Sequence, residues 1–303
     1  MATPLDFWLG FNLAVALLLV LDLTLLSREK SAPSMTLSVF TTLVWMLLAI
    51  GFGIWIGGQE GWKKGTEFFT GYVIEYSLSV DNLFLFVLIF SNFRVVPLQQ
   101  RRILFWGIIG ALVMRGAMIG AGVALLNAFD WLIYLFGAYI IFAGFNMLFH
   151  KPGVEVEKMR ILRFARRFLP LSAGDPAGRF LVSEGGRRKF TLLFLVLVVV
   201  EITDLVFALD SIPAVFGVTR DPFIVYTSNV CAILGLRSLY FVLARAVKSL
   251  VYLHLGLGCV LIFIGAKMAC EGFYPVSTEF SLITVAAILA AAIVASLLKP
   301  AGK

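Results

Sequence analysis

Apolar runs of about twenty residues recur along the whole chain, separated by short breaks rich in Arg, Lys, Gly and Pro. A helix of that length crosses a hydrocarbon core roughly 30 Å thick. Nine runs are readable: 6–26, 36–57, 67–91, 102–126, 130–149, 190–216, 222–244, 250–270 and 279–298. The ten-residue alternation of membrane β-barrel strands is missing. The pattern predicts an all-α membrane protein, one polytopic domain over 1–303 with about nine transmembrane helices. The first run lacks a basic leader and an A-x-A-like site and is followed by "SREK", so it reads as a span and not as a cleaved signal.

The order within the runs shows a repeat. Setting "IEYSLSVDNL" (74–83) over "TDLVFALDSI" (203–212) pairs Glu75 with Asp204, Asp81 with Asp210 and Asn82 with Ser211. The following runs align through Arg115 and Arg237, and the third pair through Gly144 and Gly265, Asn146 and Lys267, and Met147 and Met268. Three landmarks in the same order argue for two three-helix units, spans 3–5 (67–149) and 6–8 (190–270). An odd number of spans per unit makes the copies enter the membrane from opposite sides. Inverted repeats of this kind are a common transporter plan with the site at mid-depth between the halves. Spans 6–26, 36–57 and 279–298 are then peripheral.

Composition agrees: 60% of the 303 residues are hydrophobic and 14% charged, with a mean hydropathy of +0.97, too little polar surface for a soluble domain. The net charge of +7 reflects loops facing anionic lipid and not a nucleic-acid partner. Nineteen of the 25 Lys and Arg residues fall in loops on one side, including ten between Lys151 and Lys189. The other side holds Lys63, Lys64 and Arg220, with Glu60, Glu67 and Asp221 close by. The positive-inside rule therefore places the N-terminus outside and the C-terminus in the cytoplasm. Within the 150–189 loop, "VEKMRILRFARRFL" reads as an amphipathic helix on the inner leaflet. Cys231, Cys259 and Cys270 are too few and scattered for a disulfide framework. His150 and His254 read as interfacial, and Gly116 and Gly120 as packing within the bundle.

The chemistry lies in the charges inside the runs: Glu75, Asp81, Arg115, Glu201, Asp204, Asp210, Arg237 and Lys267. Ionisable groups at such depth pair, bind an ion or relay protons. Buried ion pairs would use the three bases, but five acids leave two negative charges over, which suits a divalent cation. The candidate ligands are Glu75, Asp81, Asn82, Glu201, Asp204, Asp210 and Ser211, with the Ser79 hydroxyl as a further oxygen. All are oxygen donors, which favours Mg, Ca or Mn over soft metals. Glu75 to Asp81, like Asp204 to Asp210, spans roughly 9 Å of rise and 120° of turn on a straight helix. Either the helix breaks between the acids, or each ion takes ligands from both repeats. Pro213 favours a break, because it cannot hydrogen-bond the carbonyl of Leu209.

Moving a divalent cation out of a negative interior costs about 4.6 kcal/mol per 100 mV. No nucleotide-binding signature is present, so export requires ion coupling, and carboxylates that exchange metal for protons supply one. No enzymatic activity or bound cofactor is inferred. An intramembrane aspartyl protease would also need two membrane aspartates, but its Tyr-Asp and Gly-x-Gly-Asp motifs are missing.

At "GYVIEYSLSVDNLFLFVLIF", "RILFWGIIGALVMRG" and "VVVEITDLVFALDSIPAVFGVTRDPFIVYTSNVCAILGLRSLYFVL" the sequence resembles the TerC family, especially its Alx-type members. The resemblance covers nearly the whole chain. It implies a bacterial inner-membrane protein that exports Mn2+, the ion being substrate and not resident cofactor, with Glu75, Asp81, Glu201, Asp204 and Asp210 lining the path. It also implies an alternative, an accessory protein supplying metal to secreted enzymes at the protein translocon. Two departures, Arg101 after Gln100 and Leu192 in place of a proline, lie away from the acids.

Overall fold

The computed structural model describes residues 5–27, 34–129, 131–149, 172, 179–184, 187–246, 252–270, 273 and 276–298. The amphipathic segment expected over 156–169 lies outside them. Among the described residues ten helices follow in chain order: α1 (Leu5–Ser27), α2 (Met35–Glu60), α3 (Trp62–Asn92), α4 (Pro97–Ala128), α5 (Leu132–Phe149), α6 (Leu192–Phe216), α7 (Pro222–Leu234), α8 (Leu236–Ala246), α9 (Leu253–Cys270) and α10 (Thr278–Leu298). Seven are long and apolar enough to cross a membrane, or eight if α7 and α8, bent by 46° at their junction, count as one span. In α1 the corresponding apolar stretch, Leu5–Leu21, is shorter. The molecule is thus an all-α membrane protein, with one small addition. Between α5 and α6, Leu181–Glu184 (β1) and Arg187–Phe190 (β2) form an antiparallel hairpin, where the sequence reading had no strand.

Local chemistry sets the helix ends. Ser34 caps α2 by accepting from Leu37 N, Thr191 caps α6 by accepting from Phe194 N, and Asp221 caps α7 by accepting from Phe223 N and Ile224 N. The turn between α2 and α3 is one residue, Gly61, at φ +95°, a backbone region that L side chains rarely adopt. Large apolar side chains such as Leu13, Val113 and Phe142 point outward at about 70% exposure, as lipid contact requires.

The loops gather at two ends. At one, Lys64 of α3 forms an ion pair with Asp221, and the Thr219 hydroxyl donates to buried Glu67 at 2.7 Å. At the other, the Tyr240 hydroxyl donates to Gln100 Oε1 at 3.2 Å, and Arg102 lies over the Phe180 ring of the hairpin segment.

A close helix crossing joins α5 to α9. A Cβ built on Gly137 would lie 2.9 Å from the Gly265 carbonyl oxygen, and one on Gly265 2.7 Å from that of Gly137. The same reciprocal contact joins Gly144 and Gly258, at 2.8 and 3.0 Å. Rising residue number on one helix meets falling number on the other, so the two run antiparallel. Gly120, by contrast, has nothing within 4 Å of its Cβ position and Gly116 has only Tyr226 at 3.6 Å, so that pair makes no close helix crossing here.

The expected break at Pro213 is not found. Helix α6 continues through it to Phe216, and Gly217 N bonds back to the Pro213 carbonyl. Pro213 lacks the N–H that would bond the Leu209 carbonyl, but only three residues of α6 follow it, so little helix is left to redirect. The break falls instead at Gly235, between α7 and α8, where a glycine tolerates the bend.

Candidate functional site

Helix geometry divides the acids of α6 between two directions. Asp204 and Ser211, seven residues apart, lie on one face, while Asp210 points roughly 120° away. The first face meets Arg115, a fully buried side chain halfway along α4. Its guanidinium holds Asp204 with two bonds, Nε to Oδ2 at 3.1 Å and Nη2 to Oδ1 at 2.9 Å. Nη1 forms an ion pair with Glu75 Oε1 of α3, and reaches Asn229 Oδ1 of α7 at 3.4 Å and Ser211 Oγ at 3.5 Å. Ser211 in turn donates to Glu75 Oε1 at 3.3 Å. One buried cation thus joins Glu75 and Asp204, the residues paired in the sequence repeat.

The arrangement leaves polar atoms over. Glu75 Oε2, Ser79 Oγ and Asn229 Nδ2 are buried without a hydrogen-bond partner among the described residues, as is Glu201 Oε2. In a membrane interior such atoms are costly unless a proton, ion or water meets them.

Glu201 lies one turn before Asp204 and faces a small cavity of about 30 Å³ whose lining includes Asp204, Arg237, Gly107 and Ala111. That volume exceeds the roughly 10–15 Å³ one water needs. Gly110 of α4 admits the carboxylate, since a Cβ there would lie 2.5 Å from Glu201 Cδ and Oε2. A second cavity of about 20 Å³ also has Arg237 in its lining, together with Arg101, Ser38 and Thr41.

The remaining candidates separate. Asp210, half-buried, accepts from the Tyr139 hydroxyl of α5 at 2.7 Å and does not join the Arg115 cluster. Asn82 is buried on α3. Asp81 lies on the same helix, its side chain outside what the structure describes. Among the described residues no three His, Cys, Asp or Glu side chains form a metal-holding group. The three cysteines are free. The sequence reading missed Asn229, Tyr139 and Gly110. Asn229 was signalled by "TSN" (227–229), three polar residues inside an apolar run and all fully buried.

Outside the spans, Glu184 accepts from Lys189 within the hairpin, and hydrogen bonds from Lys189 and Ser172 hold its carboxyl below the usual range.

The family model for the integral membrane protein TerC family matches residues 60–302. An uncharacterized membrane protein of Myxococcus xanthus is 45% identical over 293 residues, covering 96% of this chain and 92% of its own. Alx of Escherichia coli K12, whose name gives it a proposed role as a membrane-bound redox modulator, is 41% identical over 298 residues, covering 95% and 92%. An uncharacterized membrane protein of Rickettsia felis is 36% identical over 294 residues, covering 96% and 97%. No solved structure matches. The chain belongs to the TerC family of integral membrane proteins.

Proposed function

We propose that this protein is a secondary transporter that exports Mn2+, and other hard divalent cations, across the bacterial inner membrane in exchange for protons. The observation that carries this reading is the buried junction of α3, α4, α6 and α7. There Glu75, Glu201 and Asp204 lie about halfway along their helices, and two of their oxygens have no partner among the described residues. Carboxylates so placed are functional by default, because a membrane interior does not solvate them. All the donors are oxygen, which suits a hard divalent cation, and protonation of the same carboxylates supplies the exchange.

Two further features support a transporter built on nine crossings and an inverted repeat. Gly137 and Gly258 stand 121 residues apart, as do Gly144 and Gly265. A two-fold exchange of the repeats turns the Gly137–Gly265 contact into the Gly258–Gly144 contact, and both are made. Two small cavities that share Arg237 in their linings reach Glu201 and Arg101, and Arg101 lies at the end richer in basic loops, the cytoplasmic end in the proposed orientation. Lys64–Asp221 and Thr219–Glu67 tie the opposite end together.

Inside-out membrane vesicles test the reading. Wild-type protein should drive Mn2+ uptake that collapses when the pH gradient is dissipated. Glu75→Gln and Glu201→Gln should abolish uptake with the protein still inserted. Unchanged transport in both would make these acids structural. Absence of transport in the wild type, together with under-metallated secreted enzymes in cells lacking the protein, would favour the accessory role at the translocon.

A further inference from the structure

Arg115 occupies the place where an ion would sit. Its guanidinium touches Glu75 Oε1, both Asp204 oxygens, Ser211 Oγ and Asn229 Oδ1. Together with Glu75 Oε2, buried and without a partner among the described residues, these are six oxygens from four side chains. Six oxygens is the coordination number of a hard divalent cation. The charges point the same way. Glu75 and Asp204 carry −2, Arg115 returns +1, and the cluster keeps one uncompensated negative charge in a medium where that is expensive. A divalent cation in place of the guanidinium leaves none. A monovalent cation would only exchange +1 for +1 and leave the net charge of the cluster as it was.

Resting on the export reading above, we propose that Arg115 is a tethered competitor of the transported ion. A divalent cation binds between Glu75 and Asp204, completed by Ser211 and Asn229, as Arg115 withdraws, and Arg115 returns when the ion leaves. This gives the site two properties. The returning guanidinium keeps the ion-free site occupied while it resets, and the charge balance selects divalent over monovalent cations. Ser211 is thereby a ligand together with Glu75 and Asp204, and Asn229 joins the set through its carbonyl oxygen.

The test is Mn2+ binding to purified full-length protein in lipid nanodiscs, read by the loss of the free-ion paramagnetic resonance signal. Lysine keeps the charge but lacks the two-pronged grip of arginine, and glutamine removes the charge. Affinity should therefore rise from wild type to Arg115→Lys to Arg115→Gln, the last by about tenfold or more. The gain should vanish when Glu75→Gln is added to either variant. If Arg115→Gln does not insert stably, the order of Arg115→Lys against wild type decides. Equal or weaker binding in the variants, or tightening that persists with Glu75→Gln, would overturn the proposal. Either result can occur while the wild type still exports Mn2+, so it is separable from failure of the export reading, which shows as wild-type vesicles that transport nothing.

Discussion

Gly110 offers a substitution that separates function from folding. An alanine Cβ at this position would lie 2.5 Å from Glu201 Cδ and Oε2, against an ordinary contact of 3.4 Å or more. The carboxylate must retreat from 2.5 Å to that distance, and Oε1, its nearest atom, must retreat further. The atoms in the way are the far end of a flexible side chain, so the fold can yield. An off-rotamer adjustment costs about 0.5–1.5 kcal/mol. Metal ligation is less forgiving, because bond lengths hold within about 0.2 Å. A displacement several times larger removes Glu201 from any ion it serves. We therefore expect Gly110→Ala to insert and melt within a few degrees of wild type while Mn2+ transport falls by about 10–100-fold, the range seen when a ligand's support is lost. Transport and thermal unfolding should be measured on the same vesicle preparation. Wild-type transport with wild-type melting would show that Glu201 does not need its present position. That result would remove it from the path.

The other predictions concern the frame. Gly144→Ala should destabilise the protein by about 1–3 kcal/mol, because its Cβ would meet the Gly258 carbonyl and Ile262 N, backbone that cannot move aside. Gly120→Ala, which meets nothing within 4 Å, should leave the unfolding temperature unchanged, and equal effects at the two sites would refute the close α5–α9 crossing. Thr219→Val removes the donor to buried Glu67 and should cost about 1–3 kcal/mol in thermal unfolding, the price of an unsatisfied buried acceptor. The Glu184 carboxyl is held below its ordinary value, so its contribution to the hairpin is present above that value and lost as pH falls through the lowered one. Hydrogen-exchange protection over 179–184 and 187–190, taken relative to the intrinsic rate at each pH, should fall on acidification across that window, and Glu184→Gln should remove the dependence.

Seven of the nine runs, or eight with the bent pair α7 and α8, were legible because apolar runs of membrane length leave little choice of structure: the run 222–244 is covered by α7 and α8, and 279–298 by α10 within a residue. The division of α6 into two faces was equally readable, since seven residues bring Ser211 back over Asp204 and six turn Asp210 away. What escaped were effects of neighbours distant in the chain. The role of Arg115 as the bridge between Glu75 and Asp204 depends on how α4 sits against α3 and α6, which no local pattern encodes. Pro213 reads as a breaker from its chemistry alone, yet so close to the end of α6 it breaks little, and the bend passes to Gly235. The hairpin of 181–190 is short and charged, and its strand pattern is too brief to stand out beside a basic loop. Asn229 was visible as a polar residue in an apolar run but had no partner in the repeat to single it out.

The most direct test of the account is Mn2+ flux through the purified protein reconstituted in liposomes, where no other cell component can carry the ion. With an imposed pH gradient, the wild type should move Mn2+ and move protons the opposite way, and Glu201→Gln, inserted to the same level, should do neither. Liposomes that show no Mn2+ movement with well-folded wild-type protein would contradict a transporter and leave the buried carboxylates as ion pairs that hold the helices together.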